Sequence, residues 1–246
     1  MAVEAAPERA SYAIGPGAAA MLNGGLAAFL VSGALFTFFP QADLAVSKQF
    51  FVAADGSFAG NERAVEVLRN SFKTIYILAC VSCVIGAAIS YVRGKSCLRL
   101  SVAQHLFMIA CLGIGPGLVT NVALKDHWGR ARPREVVEFG GTKVFTPALT
   151  PSRACKRNCS FVAGEASSLF MIGFALVLLM PEYAATLMLA ALGSGLAAGL
   201  IRIAQGGHFV SDVVFAGIAM AVTAAVLHLI FCRLGFLPSI ENRGRA

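Results

Sequence analysis

The sequence predicts an all-α membrane protein with six transmembrane helices and a surface site at one membrane face. Three observations carry that expectation. The chain has 246 residues, of which 57% are hydrophobic and only 13% charged, whereas a soluble globular domain carries about 25% charged residues. Apolar runs near the length of about 20 residues that a bilayer-spanning helix needs recur along the chain. The polar residues are gathered into clusters at the ends of those runs.

The runs lie near 17–39, 74–92, 100–123, 161–180, 183–203 and 210–232. A chain of this length is most simply one membrane domain, 1–246. The first run is long and lacks the flanks of a cleavable signal peptide, so it reads as a retained helix. The stretch 41–73 mixes apolar and polar residues at near-helical spacing and is broken by Gly56 and Gly60. It reads as two short amphipathic helices in the membrane interface, with a surface loop as the alternative. Cys80 and Cys83 spell C-x-x-C inside the second run, where small packing residues are the simpler reading. The third and fifth runs carry "GIGPG" and "GSGLAAG", small-residue faces that suit close helix packing in lipid.

Six spans place both termini on one side of the membrane, together with the short loop "RGKSCLR" at 93–99 and the "PE" at 181–182. The segments 41–73, 124–160 and 204–209 then share the opposite side. Lys and Arg are more numerous on that opposite side, but the 93–99 loop is purely basic and joins two spans directly. It places its own side, with Arg9, Arg243 and Arg245, in the cytoplasm. The net charge of +7 is dispersed between apolar runs, which suits anionic lipid or phosphate and gives no case for nucleic acid.

Three polar clusters fall at span ends on the non-cytoplasmic side: "KDHWGRARP", "CSFVAGEAS" and "RIAQGGHFVSD". Nothing in membrane physics requires three such clusters to share a side, so they are expected to converge on one site. Lys125, Arg132 and Arg202 would bring three cations together with few acids nearby. An Arg fork matches phosphate oxygens bidentately. The start of the fourth helix adds free backbone N–H groups, and Gly164 lets the backbone come close to an anion. His208 and Asp212 are four apart, on one face of the last helix's first turn. An Asp accepting from Nδ1–H would leave Nε2 free to attack phosphorus. No metal and no cofactor are expected, because the cations and the helix N-terminus can stabilise a transferring phosphoryl group. Ser160 is a candidate cap for the fourth helix. His105, His127 and His228 match no role. Cys155 and Cys159 flank "KRN" in a polar loop and would be either a short disulfide or two free thiols.

The first and third clusters together resemble two signatures of the type 2 phosphatidic acid phosphatase superfamily. Those signatures read Lys, six residues, Arg-Pro, and later Arg, five residues, His, three residues, Asp. By that resemblance Lys125, Arg132 and Arg202 bind phosphate, His208 is the nucleophile and Asp212 orients it, at a site on the outer side of the membrane. Ile201 stands where the family usually has Ser. "VAGE" replaces Pro-Ser-Gly-His: Gly164 is kept, Ala163 lacks a hydroxyl donor, and Glu165 takes the place of the His that protonates the leaving oxygen. Glu165 could act as that acid, or as the base that activates water. The stretch "EFGG…FTPAL…CKRNCSF" resembles the lipid A 4′-phosphatase branch of bacterial inner-membrane enzymes. That branch implies a multi-pass inner-membrane protein with its site facing the periplasm, whose partners are the bilayer and a lipid A or other phospholipid substrate. No obligate protein partner is implied. Other lipid phosphates, or lipid-phosphate binding without catalysis, are the alternatives.

Overall fold

The computed structural model describes residues 16–238, and helices dominate it. In chain order these are α1 (Pro16–Phe38), α2 (Gln41–Lys48), α3 (Arg63–Arg93), α4 (Val102–Leu112), a π-helical segment (Gly113–Lys125), α5 (Gly164–Leu179), α6 (Ala184–Ala204) and α7 (Val210–Arg233). Between α2 and α3 lies a small antiparallel hairpin, β1 (Phe51–Val52) and β2 (Ser57–Phe58). Among the described residues five helices are long and apolar enough to cross a membrane: Gly17–Phe38, Arg63–Arg93, Val102–Lys125, Pro181–Ala204 and Val210–Arg233. This is an integral membrane protein.

The remaining expected span, 161–180, is shorter than its apolar run. It forms α5, an apolar helix of 16 residues. Phe161 and Val162 form a bend before it and Ala163 is extended, donating its N–H to the Asp212 carbonyl at 3.2 Å. Ser160 does not cap α5. The N-cap is Ala163, without a side-chain cap, and the Ser160 hydroxyl is used elsewhere. The stretch 41–73 also differs from two amphipathic helices. Only its start is a short helix, Gly56 at φ +59° turns the hairpin, and its last third belongs to α3.

Local chemistry explains several boundaries. Ser101 and Gln104 form a reciprocal capping box at the start of α4. Gly94, left-handed at φ +61°, ends α3 just after Arg93. Pro116 removes one backbone donor inside the third span, and a run without regular α-helical bonding is found there. Lys125 is the last residue of that π-helical segment.

The bundle is arranged around α5, which packs on α4, α6 and α7 while α1 lies against α7. Ala166, Met171 and Ala175 of α5 are completely buried. By contrast Leu30 and Val31 of α1, and Leu78 and Ile77 of α3, are exposed apolar residues that lipid would cover. A second, smaller core sits where the hairpin meets the long loop 126–163. There the rings of Phe51, Phe58 and Phe139 form a triangle with centroids 5.3–5.4 Å apart. Arg9, Arg243 and Arg245 lie outside the described residues.

Candidate active site

The long loop is folded so that its two arms run side by side. The Cys159 N–H donates to the Lys125 carbonyl at 3.0 Å and the Ser160 N–H to the Arg130 carbonyl at 2.9 Å. Trp128 anchors the same region: its indole N–H donates to the Ala148 carbonyl at 2.8 Å and its ring stacks on Phe161 at 4.8 Å. The Cys155 and Cys159 sulfurs are joined in a disulfide. These ties fix Lys125, Arg132 and Ser160 relative to the N-terminus of α5.

Lys125, Arg132, Gly164, Glu165 and Arg202 line one cavity of about 730 Å³. They come from four separate parts of the chain, while His208 and Asp212 do not line this cavity. A Cβ on Gly164 would lie 2.8 Å from Lys125 Nζ, so glycine here permits the ammonium to approach the start of α5. Arg132 is almost buried. It donates to the carbonyls of Gly207 (3.1 Å) and Asn158 (2.7 Å), and to Asn158 Oδ1 (3.2 Å). Neither Lys125 nor Arg132 forms an ion pair among the described residues, which leaves both charges available to an anion. Burial, with Arg134 adding repulsion, holds the Arg132 guanidinium below its usual pKa.

His208 lies in the link just before α7 and is fully buried, as is Asp212 in the first turn of that helix. The expected Nδ1–Asp212 hydrogen bond is absent. Nδ1 instead donates to the Ser160 carbonyl at 2.6 Å, and Asp212 Oδ2 stands 3.7 Å away. The physical reason is competition: Asp212 Oδ2 already accepts from the Ser160 hydroxyl at 2.5 Å and the Phe209 N–H at 2.9 Å. A carbonyl can only accept, so Nδ1 carries the proton and Nε2 carries a lone pair. Nε2 is buried and has no hydrogen-bond partner among the described residues. Burial pushes the imidazole pKa down to about 4, with Asp212 opposing and Lys125 and Arg132 adding to the fall. The ring is therefore neutral over the physiological range.

Glu165 sits among cations. Its Oε1 accepts from Arg69 Nε at 3.1 Å and lies 3.5 Å from Arg202 Nε. Arg69 also grips Glu66 at 3.1 Å, Glu66 accepts from the Gln205 amide at 3.2 Å, and Gln205 Oε1 accepts from Arg202 at 2.5 Å. Five side chains thus close a ring that ties α3 to α5 and α6. A carboxylate paired with two guanidinium groups stays ionised, so Glu165 is not placed to donate a proton.

Two groups of residues were missed by reading the sequence. Glu66, Arg69 and Gln205 form the ring just described. Asp43 and Arg130 form a buried pair at 2.7 Å, and Arg130 also reaches Asp212 at 2.6 Å. Arg130 stood in plain view inside "KDHWGRARP", but its acidic partners lie 82 and 87 positions away in the chain. His127 is exposed and His105 is buried at the far end of α4, so neither belongs to this site.

Helices that cross a bilayer, with an anion-ready cavity and a buried neutral histidine beside it, define an integral membrane protein with a phosphate-type site. The chain belongs to the PAP2 superfamily, which its residues 104–235 match. It is 44% identical over 141 residues to a lipid A 4′-phosphatase of Francisella tularensis subsp. novicida (strain U112), covering 55% of this chain and 62% of that protein. The chain therefore spans less than two thirds of that relative. A lipid A 4′-phosphatase of Rhizobium leguminosarum is 34% identical over 210 residues, covering 79% of this chain and 89% of the relative. One from Rhizobium etli is 31% identical, covering 79% and 80%. No solved structure matches the chain.

Proposed function

We propose that this protein is a lipid phosphatase that hydrolyses a phosphate monoester, the 4′-phosphate of lipid A, through a phosphohistidine on His208. The observation that carries the reading is the unpartnered, buried Nε2 of His208, with its tautomer fixed by the Ser160 carbonyl. Lys125, Arg132 and Arg202 neutralise the phosphoryl oxygens, and the first N–H groups of α5 add donors. In the first step Nε2 attacks phosphorus, the bond to the sugar oxygen breaks, and that oxygen takes a proton from a cavity water, whose hydroxide is neutralised in the second step by a proton that the released phosphate gives up. In the second step Glu165 accepts a proton from water, whose oxygen attacks phosphorus. The P–N bond breaks, inorganic phosphate leaves, and Glu165 returns its proton to the phosphate.

The substrate preference is supported by the names of three relatives that cover most or part of this chain. An inner-membrane location with the site facing the periplasm is supported by two features. The basic loop with Arg93, Lys95 and Arg99 lies at the opposite helix ends from the site, as cytoplasmic loops do. The Cys155–Cys159 disulfide beside the cavity suits an oxidising compartment.

The test is mass spectrometry of lipid A from cells with and without the protein. Loss of the 4′-phosphate only when the protein is present is the expected result. A His208→Ala variant should leave lipid A unchanged. Loss of a different phosphate would reassign the specificity, and full activity of His208→Ala would remove the phosphohistidine.

A further inference from the structure

We infer that Asp43, on α2 and outside the residues that match the superfamily, is a positioning residue of His208 that acts through Arg130 and Asp212 to keep negative charge beside the phosphohistidine. The inference rests on the phosphohistidine reading above.

The contacts form an unbroken buried chain. Asp43 Oδ1 accepts from the Ser211 N–H at 2.9 Å, and Oδ2 accepts from the Ser211 hydroxyl at 2.6 Å and Arg130 Nη2 at 2.7 Å. Arg130 Nη1 donates to Asp212 Oδ1 at 2.6 Å. Asp212 holds the Ser160 hydroxyl, and the Ser160 carbonyl holds His208. Asp43, Arg130, Asp212 and His208 are all fully buried. The Arg130 guanidinium is covered by the rings of Phe209 at 4.4 Å and Phe145 at 5.6 Å, so water does not screen these charges. Burial raises the Asp43 pKa and Arg130 opposes that rise. The three donors around its carboxyl, Arg130 among them, favour the charged form against burial and the neighbouring Asp212 charge.

Charge accounting gives this chain a purpose. When Nε2 bonds to phosphorus, Nδ1 keeps its proton and the ring becomes positive. Asp212, 3.7 Å from Nδ1, is the acid placed to stabilise that charge. The cations facing His208 oppose it: Lys125 from the π-helical segment and Arg132 from the loop, with Arg202 on α6. Glu165 on α5 is engaged by Arg69 and Arg202. Were Arg130 paired with Asp212 alone, the guanidinium would cancel the charge that the phosphohistidine needs. Asp43 takes up the positive charge of Arg130, so the trio of two acids and one Arg keeps one net negative charge. Arg130 can then fix the orientation of Asp212 without silencing it.

The test compares Asp43→Asn, Ser211→Ala and the double variant Asp43→Asn with Arg130→Met, each purified and assayed on bisphosphorylated lipid A. Trapping of phosphohistidine at alkaline pH is followed in parallel. Asp43→Asn should lower kcat and phosphohistidine formation by roughly 10- to 100-fold, as expected for loss of a nearby charge in a poorly screened site. KM should hold, because the cavity cations are untouched. The acid limb of kcat/KM should move to lower pH, because His208 loses nearby negative charge. Ser211→Ala removes two hydrogen bonds, the one its hydroxyl donates to Asp43 and the one it accepts from Arg130, but no charge, and should keep kcat within about fivefold. The double variant removes both charges and restores the trio's net charge, so it should be faster than Asp43→Asn. That recovery is what a purely structural ion pair would not produce.

Unchanged kcat in Asp43→Asn would overturn the inference, as would a double variant slower than the single one. The double variant against wild type carries the test if Asp43→Asn does not accumulate: loss of phosphohistidine formation in the folded double variant also overturns it. Full phosphate release by His208→Ala is a separate outcome, which strikes the phosphohistidine reading itself.

Discussion

At the scale of single residues, spacing in the sequence marked Lys125, Arg132, Arg202 and His208 as candidates, because each sits in a short motif with its own rhythm. What spacing could not supply was the partner of each group. His208 and Asp212 are four apart, and that suggested a direct bond. The bond goes to Ser160, which is 48 positions away from His208. Glu165 shows the same limit from the other direction. Its role turned on whether it is desolvated or paired, and only the fold reveals Arg69 at 3.1 Å. The pairing leads to a definite expectation for Glu165→Gln. Removal of a base for the second step should slow turnover by about 10²- to 10⁴-fold. The first step should survive, so phosphohistidine should accumulate. Rapid-quench trapping on lipid A would report this, and an enzyme that loses both steps equally would assign Glu165 to the first step instead.

At the scale of elements, the apolar runs located the long helices to within a few residues except at the start of α3, which extends back from 74 to Arg63, because bilayer crossing imposes a length that hydropathy records and a polar extension does not. The reading was weakest at 41–73. That stretch supplies α2, the hairpin and the start of α3, and its polar residues look like surface residues until the fold gives them partners. Asp43 is then a buried ion-pair member, and Arg69 becomes part of the cavity wall. The matched superfamily residues begin at 104, so α3 brings a cation from outside the shared motif. Arg69 holds Glu165 and stands in reach of the cavity, so it restrains the carboxylate and adds to the anion field. Arg69→Gln should raise KM for lipid A by roughly 3- to 30-fold, since it removes one charge-assisted contact. Steady-state kinetics would check this. An unchanged KM would confine Arg69 to packing.

At the scale of the whole molecule, the fold class and the common face of the three clusters were legible from composition and from polar residues at span ends. The excess of Lys and Arg on the face that holds the site is explained by the cavity: Arg69, Lys73, Lys125, Arg132, Arg134, Arg157 and Arg202 all line it. These charges gather at one cavity and so confuse any orientation rule based on counting. The lengths of α3 and α5 have a consequence of their own. At about 1.5 Å per residue, the 31 residues of α3 extend roughly 46 Å and the 16 of α5 roughly 24 Å. A bilayer core is about 30 Å thick, so one helix overhangs it and the central one falls short. The cavity, walled on one side by Arg69 and Lys73 of α3, would then form a basin whose depth relative to lipid phosphates depends on the thickness of the host bilayer. Reconstitution in bilayers of graded acyl-chain length should give activity with an optimum, falling in thick membranes where substrate phosphates ride above the basin. A flat profile would mean that the bundle adjusts its tilt and carries the basin with it. With such an optimum, membrane thickness would itself act as a dial on dephosphorylation, with no effector required.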